Sequence, residues 1–170
     1  SICQDEDGHI WFCTEDGWLN RYNPTTHYIT NYHLADDMNL HGLIADGDNI
    51  WVCSLGDGLW LLDRDRGRVI RRYNLPNNMT TLGIRSSRGQ IFIGTSSGLY
   101  RYDENSDSFG IVENAGIHYV HSLYQDSKGV IWVGTNGNGI RCIDEDGNRI
   151  GKITASKEEG GLKEWRVTQR

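Results

Sequence analysis

No stretch of this 170-residue chain approaches the roughly 18 consecutive apolar residues that a membrane-crossing helix needs. Nor does it open on a basic segment followed by an apolar one, so no signal peptide is visible. Proline is scarce, with two residues, and the 21 glycines are scattered along the whole length, which leaves no linker and no second composition. Positive charge is not in excess: 17 Lys and Arg stand against 23 Asp and Glu, interleaved, for a net charge of −6. Nucleic acid is therefore not an expected partner, because phosphate binding relies on a basic patch. The four cysteines (Cys3, Cys13, Cys53 and Cys142) show no C-x-x-C spacing and no regular framework, so they indicate neither a redox compartment nor a disulfide set. Helical periodicity is missing too. Its one weak candidate, Ser156 to Trp165, is interrupted by Gly160-Gly161. No cofactor motif is present, and no cofactor is expected.

What the chain does have is a repeat. Gly8-His9-Ile10-Trp11-Phe12-Cys13-Thr14 aligns without gaps with Asp48-Asn49-Ile50-Trp51-Val52-Cys53-Ser54, with Gly89-Gln90-Ile91-Phe92-Ile93-Gly94-Thr95 and with Gly129-Val130-Ile131-Trp132-Val133-Gly134-Thr135. The aromatic position recurs at 11, 51, 92 and 132, in steps of 40, 41 and 40. A glycine follows each one (Gly17, Gly58, Gly98, Gly139), and then a short strand closes on Asn23, Asp63, Asp103 or Asp144.

Each copy reads as four strands. In the second, an apolar strand ends near Ala45 and the turn Asp46-Gly47-Asp48-Asn49 follows, rich in residues that tolerate positive φ. Ile50 to Ser54 is a β-branched and aromatic strand. Leu59 to Asp63 and the alternating Arg68 to Asn74 complete the unit. The second strand is apolar on both faces, with Ile50 and Val52 on one and Trp51 and Cys53 on the other. Each sheet therefore needs a neighbour on both sides. Radial packing of twisted four-stranded sheets meets that need and matches the 40-to-50-residue period of a β-propeller blade.

The expectation is an all-β chain of four four-stranded antiparallel blades, approximately 1–34, 41–75, 80–113 and 120–155, with 162–170 starting a further blade. Ser1 to Asp5 aligns with Ser122 to Asp126, so the chain opens partway into a first strand and reads as a partial propeller. An open arc, or closure by pairing with a second copy, is expected.

The fourth copy, Gln125-Asp126-Ser127-Lys128-Gly129-Val130-Ile131-Trp132-Val133-Gly134-Thr135 followed by Gly137, Gly139-Ile140 and Asp144, resembles the two-component regulator propeller repeat. The first copy matches nearly as well. The second departs at Cys53-Ser54 and the third at Ser86-Ser87-Arg88-Gly89 and Phe92. The resemblance implies a periplasmic sensor region of a hybrid histidine kinase, in which such repeats build tandem propellers ahead of a membrane span. It also implies that many relatives respond to oligosaccharides. No Ser/His/Asp grouping emerges from the residues themselves and no carboxylate pair stands apart from the turns, so no enzyme is expected.

Candidate functional residues divide accordingly. Trp11, Trp51, Phe92 and Trp132 recur at one strand position, which points to blade packing rather than ligand stacking. Cys13 and Cys53 fill the slot of Gly94 and Gly134 and read as small buried residues. Asp5-Glu6-Asp7-Gly8 and Asp144-Glu145-Asp146-Gly147 resemble the start of a calcium loop, but neither continues to the bidentate glutamate such a loop needs, so both read as tight turns. His118 and His121, three apart on an extended chain, would point to opposite faces and make no metal pair.

The remaining candidates lie in the segments that join blades and in the turns between second and third strands, where propellers vary while the scaffold repeats. They are Asn39, His41, Asn77, Asn78, His118, Tyr119, Asn136, Asn138 and Trp165. Amides, imidazoles and exposed aromatics suit sugars, which offer hydroxyls and C–H faces. The expected partners are an oligosaccharide on this face and neighbouring blades or a second copy. A non-catalytic scaffold for dimerisation and signal transmission is the alternative.

Overall fold

The computed structural model describes residues 1–112 and 117–154. It contains sixteen strands in four antiparallel sheets, each sheet made of strands consecutive in sequence. The first holds β1 (Ile2–Gln4), β2 (Ile10–Cys13), β3 (Trp18–Asn23) and β4 (Tyr28–His33). The second holds β5 (Asn39–Asp46), β6 (Asn49–Leu55), β7 (Leu59–Asp63) and β8 (Arg68–Tyr73). The third holds β9 (Thr80–Arg85), β10 (Ile91–Thr95), β11 (Gly98–Asp103) and β12 (Ser108–Ile111), and the fourth holds β13 (Val120–Gln125), β14 (Ile131–Thr135), β15 (Ile140–Ile143) and β16 (Arg149–Ile153). The four-bladed, all-β reading of the repeat is the observed architecture. Among the described residues the only helical element is one 3-10 turn, Pro76–Asn78.

The chain forms two compact units, residues 1–81 and 82–170. In the first, Trp11 and Leu19 pack with Leu40, Leu43, Ile50, Val52, Trp60 and Leu62 of the second sheet, all buried. In the second, Phe92 and Leu99 pack with Val120, Leu123, Ile131, Val133 and Ile143. Each such side chain removed from water contributes roughly 1.5–3 kcal/mol. The reverse face of β6 is equally dry, with Trp51 and Cys53 both buried, as the apolar pattern on both of its faces requires.

In three of the four repeats one glycine has a backbone reason. Gly17, Gly58 and Gly139 take φ of 85°, 73° and 72°, and a Cβ there would strike the carbonyl oxygen of Ala35, Tyr73 and Ile153 respectively. The β2–β3 type of turn presses against the end of the fourth strand, and only glycine leaves room.

Antiparallel order fixes two ends for every sheet. Turns between first and second strands, and between third and fourth, lie at one end, here called the turn end. Turns between second and third strands, and the segments joining sheets, lie at the other, the loop end.

Candidate functional site: the loop end

The turn end is occupied by a structural device that also explains the aromatic period. Asp5 Oδ1 accepts hydrogen bonds from the amides of Asp7 and His9 at 3.0 and 2.9 Å, closing the turn, while its Oδ2 accepts the Trp11 indole N–H at 2.8 Å. Asp126 repeats this with the amides of Lys128 and Val130 and the Trp132 indole. Asp46 holds the Trp51 indole at 3.0 Å. The third sheet has Phe92, with no N–H to bind, and there Ser86 replaces the aspartate. Its hydroxyl accepts the Gln90 amide at 3.1 Å.

The Asp5 and Asp126 carboxyls sit below the ordinary aspartate value. Burial pushes Asp5 up, but the Trp11 and His9 hydrogen bonds more than offset it. For Asp126 the Trp132 bond is the leading cause. Both anions are acceptors in use, as the tight-turn reading expects. Asp5, Asp7 and His9 are also close enough together to suggest a cation site. Their atoms are already engaged: Asp5 with Trp11, Asp7 with Arg64 at 2.9 Å, and His9 Nε2 with Asn23 at 3.2 Å.

At the loop end of the first unit, Asn39 opens β5 with its Oδ1 buried and unpaired. His41 occupies a β-bulge between Leu40 and Gly42, and its Nδ1–H donates to the Thr81 carbonyl at 2.6 Å, so this imidazole ties strands together. Asn77 and Asn78 adopt left-handed φ of 60° and 49°, a region asparagine tolerates. The Asn78 carbonyl accepts the amides of Gly56 and Gly58 at 2.9 and 3.0 Å, anchoring the β6–β7 turn.

In the second unit His121 fills the corresponding bulge, between Val120 and Ser122. Tyr119 stands at φ 39°, a strained value for a tyrosine. Its ring lies 4.8 Å from that of His121, and its carbonyl accepts the Asn136 amide at 3.0 Å. Tyr119, His121 and Asn136 are thus brought together, with exposed His118 beside them in sequence. Asn138 is half-buried in the same turn as Asn136. Trp165 lies outside the described residues. His121 did not stand out in the sequence as a partner of Tyr119; the bulge shared with His41 is the signal that pairs them.

A cleft of about 700 Å³ opens instead at the turn end of the second unit, lined by Arg88, Arg101, Tyr102, Asp103 and Asn148 among others. Arg101 Nη1 donates to the Asp146 carbonyl at 2.6 Å within it. Short turns gave no sequence signal for this hollow. All four cysteines are free, and Cys13 and Cys53 are respectively half-buried and buried in the slots that glycine fills elsewhere.

Sequence comparison adds the lineage. The two-component regulator propeller profile matches residues 1–16 and 116–137, which contain the Asp5 turn and the Asp126–Trp132 motif. Those two segments carry the two-component regulator propeller repeat. Over 79% of its length it is 28% identical to histidine kinase P4 of Formosa agariphila, of which the match spans 11%. Among solved structures, the extracellular domain of a hybrid two-component system from B. thetaiotaomicron superposes with a TM-score of 0.83 at 20% identity, covering 98% of this chain and 23% of that one. The extracellular domain of a one-component system from the same organism gives 0.73 at 18%, covering 92% and 24%. A catalytically inactive variant of virginiamycin B lyase from Staphylococcus aureus, with quinupristin, gives 0.74 at 19%, covering 91% and 55%. The chain therefore spans about a tenth of the histidine kinase and about a quarter of each extracellular domain it matches, and the likeness to the solved structures establishes the fold.

Proposed function

We propose that this chain is part of the extracytoplasmic ligand-sensing region of a two-component regulator and binds an oligosaccharide at its loop end without catalysing a reaction on it. The observation that carries the reading is the Tyr119–His121–Asn136 group. It offers an aromatic face beside an exposed asparagine side chain, and it is held by a strained backbone that only the surrounding structure maintains. The extracellular receptor domains of the same fold support the setting. The shifted carboxyls among the described residues all lie at the turn end and are moved down by the hydrogen bonds they accept, which suits turn acceptors rather than general acids. A glycan-array titration of the protein and of Tyr119→Asn, which keeps a residue tolerant of the left-handed backbone, tests it. Selective binding of one glycan class, lost in the variant, is expected; equal signals from both proteins contradict it. An alkaline phosphatase fusion to the parent protein tests location, with enzyme activity expected only if this region is exported.

A scaffold reading, in which blades mediate self-association, draws on Ile29, Ile70 and Ile150, which are exposed on the outermost strands β4, β8 and β16. Sedimentation of the wild-type protein against Ile29→Lys and Ile70→Lys tests it: an oligomer lost in the variants favours the scaffold, a monomer in all three does not.

A further inference from the structure

The second and fourth sheets place three corresponding positions at the loop end, neutral in total in the second and doubly positive in the fourth. In the second sheet they are Asp57 in the β6–β7 turn, Trp60 on β7 and its cross-strand partner Arg72 on β8. The charges cancel there: Arg72 Nη1 lies 3.0 Å from Asp57 Oδ2, and its guanidinium stands 4.6 Å over the Trp60 ring. In the fourth sheet the same three positions are Asn138, Arg141 and Lys152, with Arg141 and Lys152 directly paired across β15 and β16. The carboxylate has become an amide and the indole a second cation. Like charges directly opposite one another repel. Moreover, Arg141 Nε and Nη1 are buried and have no hydrogen-bond partner, and neither cation forms an ion pair with a described residue. A desolvated guanidinium left without an acceptor is unfavourable until something supplies one.

We propose that Asn138, Arg141 and Lys152 form an oxyanion site, and that the group it takes is a carboxylate or sulfate ester on the sugar ligand; this second half rests on the oligosaccharide reading. Guanidinium, ammonium and amide together provide donors of the kind that recognise carboxylates and sulfates. They also give the loop end a preference that neutral sugars would not satisfy.

The test is an NMR titration of the protein, following the Arg141 Nε–H and the Asn138 amide, with sodium acetate, sodium sulfate, digalacturonate, its methyl ester and a sulfated disaccharide as probes. Saturable shifts at Arg141 with acetate or sulfate are expected, with one acidic sugar binding at least tenfold more tightly than the methyl ester. Arg141→Met should abolish them. Asn138→Asp, an isosteric change that restores the pattern of Asp57, should weaken anion binding at least tenfold while raising the melting temperature. No saturable shift at Arg141 with any anionic probe overturns the proposal, as does undiminished anion binding by Asn138→Asp. Neutral sugars binding the wild type and Asn138→Asp equally, with no preference for acidic ones, would also overturn it while leaving the oligosaccharide reading intact. Acetate and sulfate binding at Arg141 when no sugar of either charge binds would uphold the oxyanion site, and the oligosaccharide reading alone would fall.

Discussion

Glu145 Oε2 accepts the hydroxyl of Ser86 at 2.8 Å, joining the fourth sheet to the third at their turn ends. Ser87 Oγ, the Arg88 amide and Gln125 Nε2 bind the same carboxylate at 2.6, 3.0 and 2.8 Å. In the first unit the corresponding position is Arg64, which pairs instead with Asp7 of the preceding sheet at 2.9 Å. One location thus latches neighbouring blades with opposite polarity. The Ser87 bond leads the causes that hold Glu145 below the usual glutamate value.

The Glu145 latch predicts that Glu145→Gln lowers the melting temperature, because an amide cannot accept from all four donors. Ser87→Ala should lower it less, since three donors remain. Differential scanning calorimetry of the two variants checks the order; the reverse order, or no change in either, contradicts the latch.

Replacing Asp5 by Ser should cost about 1–3 kcal/mol, the loss on leaving a buried donor unsatisfied. In a background already carrying Trp11→Phe the same change should cost less, because the indole N–H is gone. Denaturant melts of the double-mutant cycle measure the coupling. Additive costs would disconnect the aspartate from the tryptophan.

Acid stability follows from the direction of the aspartate shifts. Asp5, Asp126 and Asp144 all sit below the ordinary value of 3.8, so the unfolded chain binds protons first as pH falls. Their stabilisation is fully present above that value and is lost as pH falls through the lower folded values. Melting temperature should hold near neutrality and drop below about pH 4. Asp126→Asn should flatten that drop, and an unchanged acid limb would contradict the assignment.

Cysteine chemistry should be muted in the folded protein. Burial pushes Cys53 and Cys3 up to about 12, and Cys53 is wholly enclosed. Because the thiolate is the nucleophile, iodoacetamide at pH 8 should label Cys53 only after denaturation. Mass spectrometry of the labelled peptides decides it. Labelling of native Cys53 at the rate of a free thiol would contradict the buried assignment.

Gly139→Ala should destabilise by roughly 1–3 kcal/mol through an unfavourable φ and a collision with the Ile153 carbonyl. Gly137→Ala should cost less, because a Cβ there meets nothing within 4 Å, although its φ of 88° is also left-handed. Chemical denaturation compares the two, and equal losses would remove the steric part of the explanation.

The features legible in sequence are those that recur. Trp11, Trp51, Phe92 and Trp132 mark the period because one packing slot is filled four times, and Gly17, Gly58 and Gly139 recur because one turn has no room for Cβ. The latches are not legible there because Arg64 and Glu145 do the same task with opposite charge, which no residue pattern reveals. The contrast between Asp57–Arg72 and Arg141–Lys152 depends on cross-strand register, which shifts at a bulge within β7–β8 and again within β15–β16 and which the residue pattern does not reveal. Tyr119 and Asn136 read in sequence only as separate polar or aromatic loop residues; neither their main-chain hydrogen bond nor the positive φ of Tyr119 is announced by the residues themselves. His41 shares the loop position of these residues, yet it ties strands through the Thr81 carbonyl.

Thermal-shift screening against size-defined oligosaccharides, neutral and acidic, tests the sensing claim most directly, since a ligand that binds only the native state raises its melting temperature by mass action. The account predicts a rise with one glycan class that disappears in Tyr119→Asn and in Asn136→Ala, both of which leave the main-chain link between those residues available. No rise with any glycan, or an equal rise in the wild type and both variants, would contradict it.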